Sequence, residues 1–435
     1  GAREHAICNA VVNSKNVELF SVMKNLNPGI KKIANDFLLE KETNIDAVVK
    51  YAIEKNIGLV LVGPEAPLNE GLANKLIKNN IKVCAPTKEA ARIETDKEWM
   101  RKLLKKHKIP GQLKFETFKD IKKAKKFIEK FNSEVAIKPL GLTGGKGVKV
   151  SGDHFDGISD AMEYVKEIIN NKISGFPKVL IEEKAIGEEF TLQAFSDGKT
   201  ILPLHAVQDH KRLLPNDKGP NTGGMGSYSC KNGLLPFLNK SDYEEGAAIL
   251  QKIVEALKKE KCPYIGPIYG QFMLTVNGPK IIEINARFGD PEAMNVLPLL
   301  RTDFLKICNA MVDGDLEKIK IDMKNHSTVC KYIVPEGYGY KSITDKKVLV
   351  DEKQISNSGS ILFYASVNKK NDFVTTTSSR SLAVVGISSD LLEAEKKCEE
   401  ALKHIKGDHI FIRHDIGKQD LIQKRINHMN KLRGM

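Results

Sequence analysis

The segment IIEINARFGDPE, residues 281 to 292, decides how this chain reads. Taken as a strand, Ile281 to Asn285 sets Glu283 and Asn285 on one face and the isoleucines on the other, because strand side chains alternate. A carboxylate and an amide two residues apart are both oxygen donors, the kind a Mg2+ ion shares with phosphate oxygens. A solvated sheet face is the plainer reading of the same pattern. Arg287 follows directly, and arginine is scarce: ten arginines stand among 68 basic residues. One beside carboxylates points to a need for the planar guanidinium fork, which a carboxylate-bearing substrate would meet.

Upstream segments add to this. KPLGLTGGKG, residues 138 to 147, sets four glycines and two lysines between strand-like runs. With no Cβ in the way, backbone N–H groups of such a loop approach phosphate oxygens, and the lysines add charge. The residue order of a Walker A loop is absent, and a flexible hairpin loop is the alternative. IEEKAIGEE, residues 181 to 189, leaves a strand for a linker that could offer backbone to an adenine edge and Glu189 to ribose hydroxyls. QDHKR, residues 208 to 212, and GPNTGGMG, residues 219 to 226, form a charged cluster and a second glycine loop. A solvated turn and a surface segment compete with those readings.

The rest of the chain has α/β and α+β patterns in several domains. Val17 to Val22, Leu59 to Val62 and Ile81 to Cys84 read as short buried strands. Ile45, Val48, Val49, Ala52 and Ile53 follow a helical stripe capped by Thr43 or Asn44, so strand and helix alternate as in a parallel sheet. Glu65 lies in GPEAPL, residues 63 to 68, at a strand's carboxyl end, where such sheets bind ligands. A lysine-rich helix around Trp99 to His107 stops at Ile109-Pro110-Gly111. Beyond it, Val135 to Lys138, Val148 to Val150 and Val179 to Glu182 read as strands, with hairpin turns at Asp197-Gly198 and Asn277-Gly278. From about His326 the chain is strand-rich again, with an amphipathic helix through Leu391 to Ile405.

Composition narrows the class. With 435 residues, 41% hydrophobic and 28% charged, the chain can bury two or three cores, and no apolar run nears the ~20 residues of a membrane span. A net charge of +13 fits an anionic partner. A nucleic-acid-binding protein is the rival reading, opposed by 6% aromatics and by lysines dispersed along helices. Seven scattered cysteines without CxxC suggest neither a disulfide framework nor a zinc ribbon, and no signal-like segment precedes the first element, so a reducing cytoplasm is expected. The ten histidines show no metal-ligand spacing, and His404, His409 and His414 read as solvated.

In their order and spacing these segments closely resemble the glycinamide ribonucleotide synthetases of the ATP-grasp superfamily, over nearly the whole chain. The resemblance implies an N-terminal parallel-sheet α/β domain over 1–96, a central ATP-grasp domain over 97–318 with a lid at about 113–183, and a small C-terminal β-rich domain over 319–435. The family opens with a strand and a glycine-rich turn before Gly-x-Arg-Glu-His, whereas Gly1 already begins that motif here, so the opening strand of the first domain is expected to be missing. The implied activity is ATP-dependent ligation of glycine to 5-phosphoribosylamine through a glycyl phosphate, a step of de novo purine biosynthesis. The implied partners are these small molecules and Mg2+ or Mn2+, with no nucleic acid or membrane, in a monomer or dimer. By the same resemblance Lys97, Lys138, Gly144, Gly145, Lys146 and Gly147 hold phosphates, and Glu182, Ala185 and Glu189 hold the nucleoside. Gln271, Glu283 and Asn285 hold the metal. Arg287 and Asp290 meet glycine's charged ends, Asp209, Lys211 and Arg212 lie near the transferring group, and Glu65, Asn221, Thr222 and Gly223 meet the ribose phosphate moiety.

Whether Gln271 shares a face with Glu283 depends on hairpin register. A two-residue loop at Asn277-Gly278 would set Gln271 opposite Ile284, away from the metal, whereas a loop that includes Pro279 sets it opposite Asn285. Proline has no N–H for a ladder, so the sequence predicts the odd-length loop, with Ile282 and Ile284 packed on the other side.

Overall fold

The computed structural model describes residues 1–142 and 147–435. In the first hundred residues, two parallel strand pairs are flanked by helices: Phe20–Met23 with Asp36–Leu39, and Leu59–Leu61 with Lys82–Cys84. Asn44 caps the helix Ile45–Glu54, whose Val48, Val49 and Ala52 are buried. Ile53, expected on that stripe, is instead 54% exposed, and Tyr51 is buried in its place. The helix Ala2–Val12 and the strand Asp36–Leu39 carry little periodic signal and were not foreseen.

Two four-stranded antiparallel sheets come next. The first runs Phe115–Phe118, Val179–Glu183, Val135–Pro139, Lys149–Val150. Its helices Ile121–Lys130 and Gly157–Asn170 close a core of their own, with Ile128, Val135, Ile137, Val165 and Ile168 fully buried. A layer with a private core can move as a unit. The second sheet runs Ile201–Pro203, Glu188–Asp197, Ile265–Thr275, Gly278–Asn285. The long helix Lys240–Lys259 packs on it, started by a capping box between Asn239 and Asp242.

The last large sheet does not respect a boundary near residue 319. Gln208–Asp209 pairs with Gly226–Ser229, which pairs with Ser327–Pro335 and so joins Leu382–Ser388 and Ser360–Tyr364. The segment that carries Asp209 is therefore an edge of the C-terminal sheet, while Thr191 and Val207 bridge it to the central one. Helix Leu391–Leu402 packs on that sheet, and helix Gln419–Arg433 reaches back toward the middle of the chain. Among the described residues no helix is long and apolar enough to cross a membrane.

Candidate active site

The two antiparallel sheets face each other across a cleft of about 580 Å³, whose lining also includes Arg3 and Glu65 from the first domain and Arg380 and Arg425 from the last. The central hairpin decides what enters it. Its turn is Val276-Asn277, with Gly278 at φ 79°, a left-handed conformation that glycine adopts without strain. Thr275 pairs with Gly278 and Phe272 with Ile281, after which a β-bulge shifts the register, so that Gln271 faces Glu283 and Tyr269 faces Asn285. The odd-length loop through Pro279 is thus incorrect, because Pro279 pairs with Leu274 inside the ladder. Gln271, Glu283 and Asn285 still share the cleft face, through the bulge at Ile282 rather than through the loop. The bulge also corrects the isoleucines: Ile281 and Ile284 are buried in the core, and Ile282 lines the cleft.

Cations gather around this face. Lys97 Nζ donates to the Gly141 carbonyl at 2.8 Å. Lys138 Nζ lies 2.7 Å from Glu182 Oε2 and donates to the Ile282 carbonyl at 3.3 Å. Against the effect of burial, Lys211, Lys97 and Lys138 hold the Glu283 carboxyl below its usual range, so it is ionised at neutral pH. Gln271 donates from Nε2 to Glu189 at 2.7 Å, yet its Oε1 is buried without a hydrogen-bond partner among the described residues. Leaving such an acceptor unmatched costs about 1–3 kcal/mol. A divalent cation removes that cost, and one carboxylate with two amide oxygens is a donor set of the hard-oxygen type it prefers. The residues present therefore fit the metal.

The neighbouring end is built differently. Arg287 lies 3.1 Å from Glu94 Oε1 and 3.5 Å from Glu65 Oε2, and it donates to the Phe288 carbonyl at 3.1 Å. Asp290 was expected to meet a charged end of glycine. Its Oδ1 instead accepts from the Tyr332 hydroxyl at 2.5 Å, and its Oδ2 lies 2.9 Å from Arg380, which stacks over the Tyr332 ring. Arg380 also donates to the carbonyls of Gly223 and Gly224, so the C-terminal sheet holds the second glycine loop against Asp290. Asp209 is an unspent carboxylate here: its Oδ1 is buried with no hydrogen-bond partner among the described residues, and burial followed by the charge of Glu292 pushes its carboxyl well above the usual range. Gly224 is required beside it, since a Cβ there would lie 2.7 Å from Asp209 Oδ1. Glu292 accepts from the Tyr269 hydroxyl at 2.8 Å.

Other expected residues fall as follows. Ala185, Glu189, Asn221, Thr222 and Gly223 line the cleft, and Lys211 Nζ stands 3.6 Å from Glu189 Oε2. The Thr222 hydroxyl is occupied by the Lys211 carbonyl at 2.8 Å. Glu182, read as a nucleoside contact, is fully buried and its carboxylate is spent on Arg101 and Lys138. Arg212, read as lying near the transferring group, lines the cleft and reaches the turn after Lys149–Val150, at 2.9 Å from Asp153 and 3.2 Å from His154 Nε2. Gly147 accepts from the Tyr164 hydroxyl at 2.7 Å, whereas Gly144, Gly145 and Lys146 lie outside the described residues. Sequence reasoning missed Arg3, Glu94, Arg101, Tyr269, Arg380 and Arg425. The scarcity argument applied to Arg287 extends to the four arginines among them. Glu94 and Tyr269 carry no such signal.

A sheet layer with its own core, set over a second antiparallel sheet across a cleft of lysines and oxygen donors, defines an ATP-grasp protein. The chain matches the three domains of phosphoribosylglycinamide synthetase: the N domain over residues 1–94, the ATP-grasp (A) domain over 95–293 and the C domain over 328–419. It belongs to that family. The phosphoribosylamine–glycine ligase of Methanothermobacter thermautotrophicus is 50% identical over 434 residues, covering 100% of this chain and 98% of that one. The enzyme of the same name from Methanocella arvoryzae is 49% identical over 436 residues, with the same coverage. The crystal structure of phosphoribosylamine–glycine ligase from Thermotoga maritima superimposes with a TM-score of 0.81 at 26% identity, over 95% of this chain and 97% of that one. Biotin carboxylase from Campylobacter jejuni, at 14% identity and a TM-score of 0.74 over 99% of this chain and 96% of that one, shares the fold.

Proposed function

We propose that this chain is an ATP-dependent carboxylate–amine ligase that joins glycine to 5-phosphoribosylamine, giving glycinamide ribonucleotide, ADP and phosphate in de novo purine biosynthesis. Glycine's carboxylate is a poor electrophile until activated. The γ-phosphoryl group passes to a carboxylate oxygen as its bond to the β-phosphate oxygen breaks, leaving ADP and glycyl phosphate. The amine of phosphoribosylamine then attacks the acyl carbon, a C–N bond forms, inorganic phosphate leaves and the amine gives up a proton. Such transfer depends on alignment and charge neutralisation more than on a protein nucleophile.

The observation that carries this reading is the pairing of a buried, unmatched Gln271 oxygen with Glu283 and Asn285 among Lys97, Lys138 and Lys211. Gln271, Glu283 and Asn285 would hold Mg2+, or Mn2+ in its place, which when bound neutralises phosphate charge. Lys97 and Lys138 orient the phosphates. Ala185, Glu189 and the backbone near Glu182 receive the nucleoside. Arg287 takes glycine's carboxylate, and Asp209 with Glu292 takes its ammonium group, a role moved here from Asp290. Lys211 stands by the transferring group, and Glu65, Asn221, Thr222 and Gly223 take the ribose phosphate. A monomer or dimer in the cytoplasm fits a soluble-substrate ligase. ADP release that requires both glycine and phosphoribosylamine tests the proposal. Release with another carboxylic acid in place of glycine would assign the site to a different ligation.

A further inference from the structure

The helix Gln419–Arg433 lies, but for its first residue, past the family's C-domain match, and it enters the back of the site. Arg425 Nη1 donates to Glu188 Oε2 and Nη2 to Asp217 Oδ2, both at 2.5 Å. These carboxylates belong to different segments. Glu188 is buried beside Glu189, which faces the cleft. Asp217 holds His210 through Nδ1 at 3.1 Å, and His210 is buried between Asp209 and Lys211, whose side chains reach the cleft. Arg413 completes the brace, donating to Asp217 at 3.0 Å and to the Arg212 carbonyl at 2.9 Å. His428 joins Glu188 at 2.6 Å, and Arg433 anchors the helix end to Asp242 at 2.9 Å, away from the cleft lining.

We infer that Arg425 is a positioning residue for the ligation. Its planar fork holds Glu188 and Asp217 at one separation, and so sets the span between Glu189 on the nucleoside side and Asp209 and Lys211 on the transfer side. A guanidinium suits this because both bonds leave one rigid plane, a geometry the single ammonium of lysine does not reproduce. Small misplacements across a phosphoryl-transfer site are costly, since the reaction depends on alignment. The inference rests on the ligase reading.

The test compares Arg425→Ala, Arg425→Lys and Arg433→Ala in the full chain, by steady-state ADP release with ATP, glycine and phosphoribosylamine and by thermal melting. Arg425→Ala is expected to lower kcat about tenfold to a hundredfold, with the KM for ATP held within about threefold. Arg425→Lys should fall between it and wild type, and added guanidinium should restore part of the lost kcat. Arg433→Ala, which loosens the same helix elsewhere, should lower the melting temperature with kcat near wild type. Where Arg425→Ala fails to fold, a fall in kcat for Arg425→Lys but not for Arg433→Ala carries the test. Equal kcat in the Arg425 and Arg433 variants, or no response to guanidinium in a folded Arg425→Ala, would overturn the inference while leaving the ligase reading intact. A wild-type chain that releases no ADP with both substrates overturns that reading and this inference with it.

Discussion

The two ends of the cleft use similar side chains in opposite ways. At the end proposed for the metal, Gln271 keeps an oxygen unmatched among the described residues and Glu283 stays ionised among three lysines, so the protein holds open positions at a cost in stability. At the end proposed for glycine, Asp290 is matched from within by Arg380 and Tyr332, whereas Arg287, paired with Glu65 and Glu94, keeps its buried Nε without a hydrogen-bond partner among the described residues. Asp209 likewise keeps a buried oxygen that meets no donor among the described residues. The contrast teaches that a charged residue in a cleft is a ligand group only to the extent that it retains atoms for a ligand. A carboxylate already held by an arginine and a tyrosine is framework, however suggestive its motif.

The sharpest way to break this comparison is at Glu283. Glu283→Gln removes the one carboxylate of the metal set, and glycine-dependent ADP release is expected to fall about a hundredfold or more. A variant that keeps wild-type turnover at low Mg2+ would move the metal elsewhere.

Asp209→Asn is expected to lower kcat/KM for glycine about tenfold to a hundredfold, read by initial rates at varied glycine, since a buried charge partner is lost. The same variant carries a pH signature. The folded Asp209 carboxyl sits above its unfolded value of roughly 3.9, so its stabilising contribution is whole below that pH and is lost as pH rises through the folded value. As pH rises above the unfolded value the wild type therefore bears a growing cost, of holding a proton or of burying a charge, that the amide does not. Asp209→Asn is expected to melt higher than wild type there, with the gap closing toward about pH 4 in a series of thermal melts.

Arg287→Lys keeps a charge and loses the fork. The KM for glycine is expected to rise about tenfold with the KM for ATP little changed. Unchanged glycine kinetics would make Arg287 framework like Asp290. The smallest kinetic effect is expected at Asp290→Asn: a stability loss of about 3 kcal/mol from the Arg380 pair, seen in urea unfolding, with glycine KM shifted less than about threefold. A large glycine effect in that folded variant would return Asp290 to the substrate.

How far the chain could be read beforehand varied with the range of the forces involved. Strands such as Val135–Pro139 and Val179–Glu183 and helices such as Ile45–Glu54 follow local periodicity and capping, and they were legible. The hairpin was legible in kind and not in register. Pro279 argued for a turn, yet it tolerates the ladder position opposite Leu274, and the bulge at Ile282 has no local signature. The pairing of Asp290 is invisible in its motif because its partners Tyr332 and Arg380 lie 42 and 90 residues away along the chain. The edge strand Gln208–Asp209 joins, through Gly226–Ser229, a sheet whose remaining strands begin more than a hundred residues later, past any boundary that composition marks.

The sequence by itself determined the chemistry: the oxygen donors at Glu283, Asn285 and Gln271, the lysines that surround them, the glycines that permit close approach, and the family those motifs spell. Residue type and short spacing carry that information, since alternation and capping act over a few residues. Only the tertiary structure decided which of those groups remain available. Availability is a matter of pairing: Glu182 is consumed by Arg101 and Lys138, Asp290 by Arg380 and Tyr332, and Arg212 by Asp153, while Asp209 and Gln271 are left with an oxygen each. The partners come from segments far apart in the chain, and in a buried site an ion pair or its absence outweighs anything local propensity contributes.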